Sequence, residues 1–300
     1  MHATDEVIAK VVRDPFLRHH VASLNVSGGE PFLHPGLTSF LLQVMEGYER
    51  LSEICINSDG HLLDTIEGTL DQALPAAAAK GIKLRLYVSL DGIGDKHDNH
   101  RRHPGAFVLA DRALRRLAAL RLQSPDVLRV TAGFTITDRN TDQILPVLDY
   151  VTSLDIKVDY IPAARPEAFL GGGGLQRKFQ VDRPQVAEVR DSLREVCKHP
   201  ERINFSSAFY ATVVETLETG RRTRGCFYPR KGFVLMPDGA VYICGTYLDF
   251  IFGNVLEAGF ATLWAGAARA QCLADKIPAK CETCLSNSYE DWDLEFGAVV

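Results

Sequence analysis

Between residues 4 and 161, strand-like and helix-like segments alternate, and this alternation limits the fold more than any other feature of the chain. Ile82, Leu84, Leu86 and Val88 occupy every second position, with Lys83, Arg85 and Tyr87 between them. That is the period of a strand with one buried face. Leu128, Val130, Ala132, Phe134 and Ile136 repeat it. Further strands are expected over residues 21–27, 51–56 and 156–161, and helices over 37–48, 62–79, 107–120 and 144–151. Asn140 with Gln143 reads as a capping pair for the last of these helices. Thr4 caps a first helix whose opening turn carries Asp5 and Glu6. Strands joined by helical crossovers imply a parallel sheet and an α/β fold.

Two of the strand ends carry unusual residues. The first strand runs into Ser27-Gly28-Gly29-Glu30-Pro31. Residues without Cβ put bare backbone at the carboxyl end of a parallel sheet, where α/β folds bind their ligands; by itself, a Gly-Gly-Glu-Pro run also simply ends a strand. The third strand ends in Ser89-Leu90-Asp91-Gly92, followed by His97-Asp98-Asn99-His100-Arg101 and Pro104-Gly105-Ala106-Phe107. On residue type alone, Asp98 and Arg101 are an ordinary loop ion pair.

Beyond residue 161 the pattern loosens. Gly171 to Gly174 are four successive glycines, which suit a flexible connection or a flap over a substrate. Helices are expected to open at Asp182 and Pro184, and at Ser206 or Ser207. From Cys226 onward, Phe233 and Leu235 lead into the turn Pro237-Asp238-Gly239, and Val241 and Ile243 lead out, which is hairpin chemistry. A helix is expected near 260–273, then Cys281-Glu282-Thr283-Cys284. The boundary between the two textures falls near residue 222, giving domains over 1–222 and 223–300.

Seven cysteines are an odd number, and the CxxC pair is spaced for metal. Cys226, Cys244, Cys281 and Cys284 suit zinc or an iron–sulfur cluster. Cys55, Cys197 and Cys272 read as small core residues. The net charge is -5, from 33 basic and 38 acidic residues. No long basic block points to nucleic acid, and no apolar run reaches the ~20 residues needed to span a bilayer. The N-terminal residues do not read as a signal peptide, so the cytoplasm is the expected compartment.

Taken together, Ser27–Pro35, Ile56–Leu63, Ser89–Phe107 and the four C-terminal cysteines resemble the radical S-adenosylmethionine (SAM) enzymes that carry a SPASM or twitch auxiliary domain. The resemblance implies a partial (β/α) barrel lacking its first strand, with a small α+β twitch-like domain behind it. It implies SAM contacts from Gly28, Gly29, Glu30, Ser58, Ser89 and Arg101, with Asp98 orienting Arg101. It also implies one auxiliary four-iron four-sulfur cluster on Cys226, Cys244, Cys281 and Cys284. The segment Phe252–Val255 is similar to that family's linker. The implied activity is hydrogen-atom abstraction by a 5'-deoxyadenosyl radical, in peptide modification or in dehydrogenation of a small substrate, with an electron donor such as flavodoxin or ferredoxin. Here the chain departs from the family: no CxxxCxxC occurs in residues 1–300. The expectation is an N-terminally shortened enzyme, inactive as it stands, whose SAM-binding cluster requires an upstream CxxxCxxC segment. The other reading is an inactive zinc- or cluster-stabilised binding or partner protein on a degenerate barrel. No catalytic residue is assigned; Asp159, at the end of the last strand, is a candidate for lining the cavity.

Overall fold

The computed structural model describes residues 3–163, 183–247, 249–277, 281–282 and 284. Gly171–Gly174 and the opening residue Asp182 lie outside them. The chain forms two compact units, one of residues 21–161 with 181–210, the other of residues 1–20, 162–180 and 211–300.

The first unit is built on a five-stranded sheet. Its strands are β1 (Ser23–Val26), β2 (Glu53–Ser58), β3 (Lys83–Ser89), β4 (Leu128–Ile136) and β5 (Lys157–Pro162), lying side by side in sequence order. Pairing is parallel from β1 to β4, with Asn25 opposite Cys55, Cys55 opposite Arg85, and Arg85 opposite Arg129. Each crossover carries helix: α3 (Leu37–Gly47), α4 (Leu63–Lys80), α5 and α6 (Asp95–Arg101 and Ala106–Gln123), and α7 (Ile144–Ser153). The even-numbered apolar residues of the expected pattern form the core. Ile54, Ile56, Leu84, Leu86, Val88, Leu128, Val130, Phe134 and Val158 are all buried, as are Leu41, Val44, Ile66, Leu70, Leu114, Leu117 and Val151 on the helices. Each such side chain contributes roughly 1.5–3 kcal/mol by leaving water.

The opposite face of the sheet is polar, and several of its residues pair with one another. Asn57 Nδ2 donates to Asn25 Oδ1 (2.6 Å). Arg85 pairs with Glu53 at 2.9 Å. Asp159, 2% exposed, accepts from Asn204 N and Nδ2 (3.3 and 3.1 Å), and Asn204 Nδ2 also donates to Thr131 Oγ1 (3.2 Å). Burial pushes the Asp159 carboxyl up to about 6. Beside this group the Tyr87 ring lies on Gly133 of β4; a Cβ there would come within 1.9 Å of the ring. Tyr87 Oη is buried without a hydrogen-bond partner among the described residues.

Two local expectations are corrected. Asn140 does not cap a helix. Its side chain makes no capping bond, a 3-10 turn of Thr141–Gln143 precedes α7, and its amide instead braces two strand ends, as described below. The crossover after β3 contains a helix, α5, that periodicity alone does not announce, because its seven residues, Asp95–Arg101, are all polar.

The second unit contains α1 (Asp5–Arg13) and α2 (Pro15–His20), a three-stranded antiparallel sheet of β6 (Val234–Leu235), β7 (Ala240–Tyr242) and β8 (Ile251–Asn254), and short helices. Thr4 Oγ1 accepts from Val7 N (3.3 Å), the expected cap. The hairpin turn places Gly239 at φ +85°, a conformation that glycine adopts without strain. The stretch Phe252–Asn254, read as linker, is strand. The helix expected over 260–273 breaks at Gly266, where extended backbone (φ -73°, ψ 157°) separates Phe260–Ala265 from Ala267–Gln271. Asp14 joins the two ends of the chain. Its Oδ1 accepts from Phe16 N and Leu17 N (2.9 and 3.1 Å), and its Oδ2 accepts from Phe260 N (2.9 Å). Phe16 then meets Phe260 and Trp264, at 5.6 and 6.2 Å between ring centroids.

Candidate functional site

At the carboxyl end of the parallel sheet, the loop after β1 is open. Gly28 lies at φ +141°, and a methyl group added at Gly28 or Gly29 meets nothing within 4 Å. Protein packing therefore does not demand these glycines; the space over their backbone is free for a ligand. Glu30 turns away from that space. Its Oε1 accepts from Phe32 N (3.1 Å), and its Oε2 accepts from Asp59 N and Ser58 Oγ (2.8 and 3.1 Å). It thereby ties the loop after β1 to the end of β2. Burial is the largest influence on this carboxyl and pushes it up to about 7, against the pull of the two backbone donors. Ser58 is buried and also accepts from Gly60 N (3.0 Å).

Ser89 closes β3 opposite Gly133. Beyond it, Asp91 is 1% exposed and sits at the centre of a polar cluster. Its Oδ1 accepts from Thr135 N (2.8 Å), and its Oδ2 lies 2.6 Å from Arg101 Nη2 and 3.8 Å from His100 Nε2. Its backbone N–H donates to His97 Nδ1 (3.0 Å), and its carbonyl accepts from Asn140 Nδ2 (3.1 Å). Asn140 also donates to Thr135 O (3.0 Å) and accepts from Thr137 N and Oγ1 (2.8 and 3.0 Å). Burial holds the His97 imidazole down to about 4 and lowers that of His100, so both rings are neutral near pH 7. Asp98, expected beside Arg101, caps the next helix instead, accepting from Gly105 N and Phe107 N (2.6 and 2.7 Å). Those two backbone donors hold its carboxyl below the usual range.

Its motif alone assigns Asp91 no role, and residue type makes Asn140 a cap. For Asp91 a sequence signal exists. An Asp that ends a strand, ten residues before an Arg that closes a polar segment, suits a carboxylate–guanidinium pair.

In the other unit, Cys226, Cys244, Cys281 and Cys284 line one cavity, together with Arg222, Tyr228, Ile243, Tyr247, Phe250 and Ile277. Ile243 and Cys244 directly follow β7, the outgoing arm of the hairpin; Cys226 precedes the short helix Tyr228–Lys231. Arg222 N donates to Glu282 O (2.6 Å), which fastens the CxxC segment to residue 222. Burial pushes Cys226 up to about 11 and Cys281 up to about 12 and raises Cys244, and neighbouring thiols add to each. Four crowded, desolvated thiols are electrostatically costly as thiolates unless cationic metal neutralises them, so the donor set fits an iron–sulfur cluster. Among the described residues no three His, Cys, Asp or Glu side chains draw together as single-ion ligands. Cys272 is buried in the same unit, with its thiol 3.3 Å from Ile251 O, while Cys55 and Cys197 are half-buried.

Residues 226–285 match SPASM, an iron–sulfur cluster-binding domain. No curated protein matches the chain. Among solved structures, native anSMEcpe with bound AdoMet is similar at 17% identity and a TM-score of 0.63, over 96% of this chain and 83% of that one. The same values relate the chain to native anSMEcpe with bound AdoMet and Kp18Cys peptide. Streptococcus suis SuiB is similar at 13% identity and a TM-score of 0.59, over 89% of this chain and 59% of that one. At these identities the likeness is one of fold. The protein has the partial-barrel fold of the radical SAM enzymes, an α/β sheet unit with a small antiparallel sheet near its C-terminus. Its C-terminal region carries a SPASM domain, a domain that binds iron–sulfur clusters.

Proposed function

We propose that the protein works in radical SAM chemistry on a peptide or a small substrate, and that Cys226, Cys244, Cys281 and Cys284 hold one auxiliary four-iron four-sulfur cluster. The observation that carries this reading is the meeting of those four thiols around one cavity inside the SPASM match. The functional division runs at residue 222, with a nucleotide-binding sheet domain before it and the cluster domain after it. Bound at the mouth of the sheet, SAM would supply the radical chemistry for hydrogen-atom abstraction once a SAM-cleaving cluster is also present. The protein's own residues bind and orient it: the open backbone of Gly28 and Gly29 receives polar groups, and Ser89 and Arg101 present a hydroxyl and a guanidinium. Glu30 and Ser58 act from beneath, by fixing the shape of the loop. Solved relatives in fold contain the Kp18Cys peptide or the precursor peptide SuiA, which supports a peptide substrate. Among the described residues no helix is long and apolar enough to cross a membrane, and we place the protein in the cytoplasm, served by a donor such as flavodoxin or ferredoxin.

Because residues 1–300 contain no CxxxCxxC, this reading has the chain bind SAM without cleaving it until three further thiolates are supplied. The same fact favours a second reading, in which the protein carries its cluster as a non-catalytic partner of a complete enzyme.

The test is anaerobic reconstitution with iron and sulfide. About four iron atoms per chain and a brown protein are expected, with that iron lost in Cys244→Ser and retained in Cys272→Ser. A colourless protein holding stoichiometric zinc overturns the cluster assignment.

A further inference from the structure

The thiols of the second unit do not share one environment. Cys244 is well served by hydrogen bonds: the backbone N–H groups of Thr246 and Tyr247 and the Thr246 hydroxyl donate to its sulfur. Cys226 receives a bond from Tyr228 N. Cys281 depends on charge instead. Burial and the neighbouring thiols disfavour its thiolate, and the Arg222 guanidinium acts in its favour. The same guanidinium favours the thiolate of Cys226.

Arg222 is fixed where it stands. Its Nε donates to Arg224 O at 2.9 Å and its Nη2 to Gly225 O at 3.2 Å, which turns the fork onto the loop that leads into Cys226. Those two acceptors are neutral carbonyls and leave its charge in place. Its backbone N–H donates to Glu282 O, between the two cysteines of the CxxC (2.6 Å). One residue is thus fastened to two of the segments that supply sulfurs. It lines the same cavity as all four thiols, and Ile243, Phe250 and Ile277 give that cavity apolar walls. A fixed cation beside such walls acts on its neighbours more strongly than one in water. Arg221 makes the contrast. Its side chain is 73% exposed and pairs with the Glu282 carboxylate, so its charge is both screened and answered.

A thiolate-bound cluster grows more negative when it takes up an electron, and its potential follows the charge and the hydrogen bonds around its sulfurs. We infer that Arg222 is a potential-setting residue, whose fixed guanidinium favours the one-electron-reduced form of a cluster held by Cys226, Cys244, Cys281 and Cys284. This rests on the cluster reading above. The change it biases is the gain of one electron from an external one-electron reductant, with no bond made or broken in the protein.

The test is a redox titration of the reconstituted full chain with dithionite and mediators, followed by electron paramagnetic resonance, which reads a midpoint potential and needs no activity. Arg222→Gln should keep its iron and lower the reduced-to-oxidised ratio at a fixed potential by about tenfold, a fall of ~59 mV for a one-electron couple. Arg222→Lys retains the charge and should stay much closer to the wild type. Arg221→Gln removes the exposed neighbouring charge and should leave the midpoint where it was. An unchanged midpoint in Arg222→Gln, a fall in Arg222→Lys as large as that in Arg222→Gln, or an equal fall in Arg221→Gln overturns the inference alone. Loss of iron from Arg222→Gln does so too, because it makes the residue a scaffold. A wild-type protein that takes up no iron overturns the cluster reading and this inference with it.

Discussion

Two single residues behave differently from what their type suggests. Tyr87 presents a buried hydroxyl that bonds to nothing among the described residues. Leaving such a group unpaired costs more than a hydrogen bond returns elsewhere. Tyr87→Phe is therefore expected to raise stability, by about 1 kcal/mol in chemical denaturation; a loss of that size would mean that the hydroxyl has a partner in solution. Glu30 carries the opposite lesson. Its folded-state carboxyl is raised to about 7 from 4.5, chiefly by burial. A raised acid binds its proton more tightly when folded, so its contribution is fully present below the unfolded value and is lost as pH climbs towards 7. Glu30→Gln removes that titration, and the wild type's stability should fall relative to the variant's between about pH 4.5 and 7, by urea midpoint at each pH. A constant difference across that window rules the assignment out. Sequence could point to Glu30 but not to its direction. Its motif was legible, whereas its turn towards Ser58 and Asp59 depends on β1 and β2 being neighbours in register.

The elements themselves were largely legible, since strand and helix periods survive in any context that buries one face. The five barrel strands lie within two residues of the periodic pattern at every end. What failed were segments whose form is set by partners rather than by their own pattern. Helix α5 has no apolar stripe, and helix 260–273 breaks at Gly266. Asn140 sits where a cap would sit and yet spends its amide on Asp91, Thr135 and Thr137. It joins the end of β3 to the end of β4. Asn140→Ala strands several buried partners at once, and a loss of about 2–3 kcal/mol is expected. Asn140→Asp keeps the acceptor for Thr137 but repels Asp91, and should be no better. A loss under about 0.5 kcal/mol in thermal unfolding would show that the brace is dispensable.

At the scale of the whole molecule the chain makes two units with separate cores, and only one of them holds the four clustered thiols. Ligation of a cluster adds its binding energy to that unit. Limited proteolysis of reconstituted protein should therefore find residues 226–284 far more sensitive in Cys284→Ser than in Cys272→Ser; equal sensitivity contradicts a ligand role for Cys284. The contact through Asp14 bears on how the molecule is made. One carboxylate starts both α2 and the helix at Phe260, which lies 246 residues beyond Asp14. On a ribosome the sheet unit has all its residues once position 210 has emerged, and it can settle while synthesis continues. The other unit must keep its first twenty residues waiting, apolar Phe16 and Leu17 among them, until Phe260 arrives. Until then those two short helices lack the partners that Phe260 and Trp264 provide, and this is the interval in which a chaperone has something to hold.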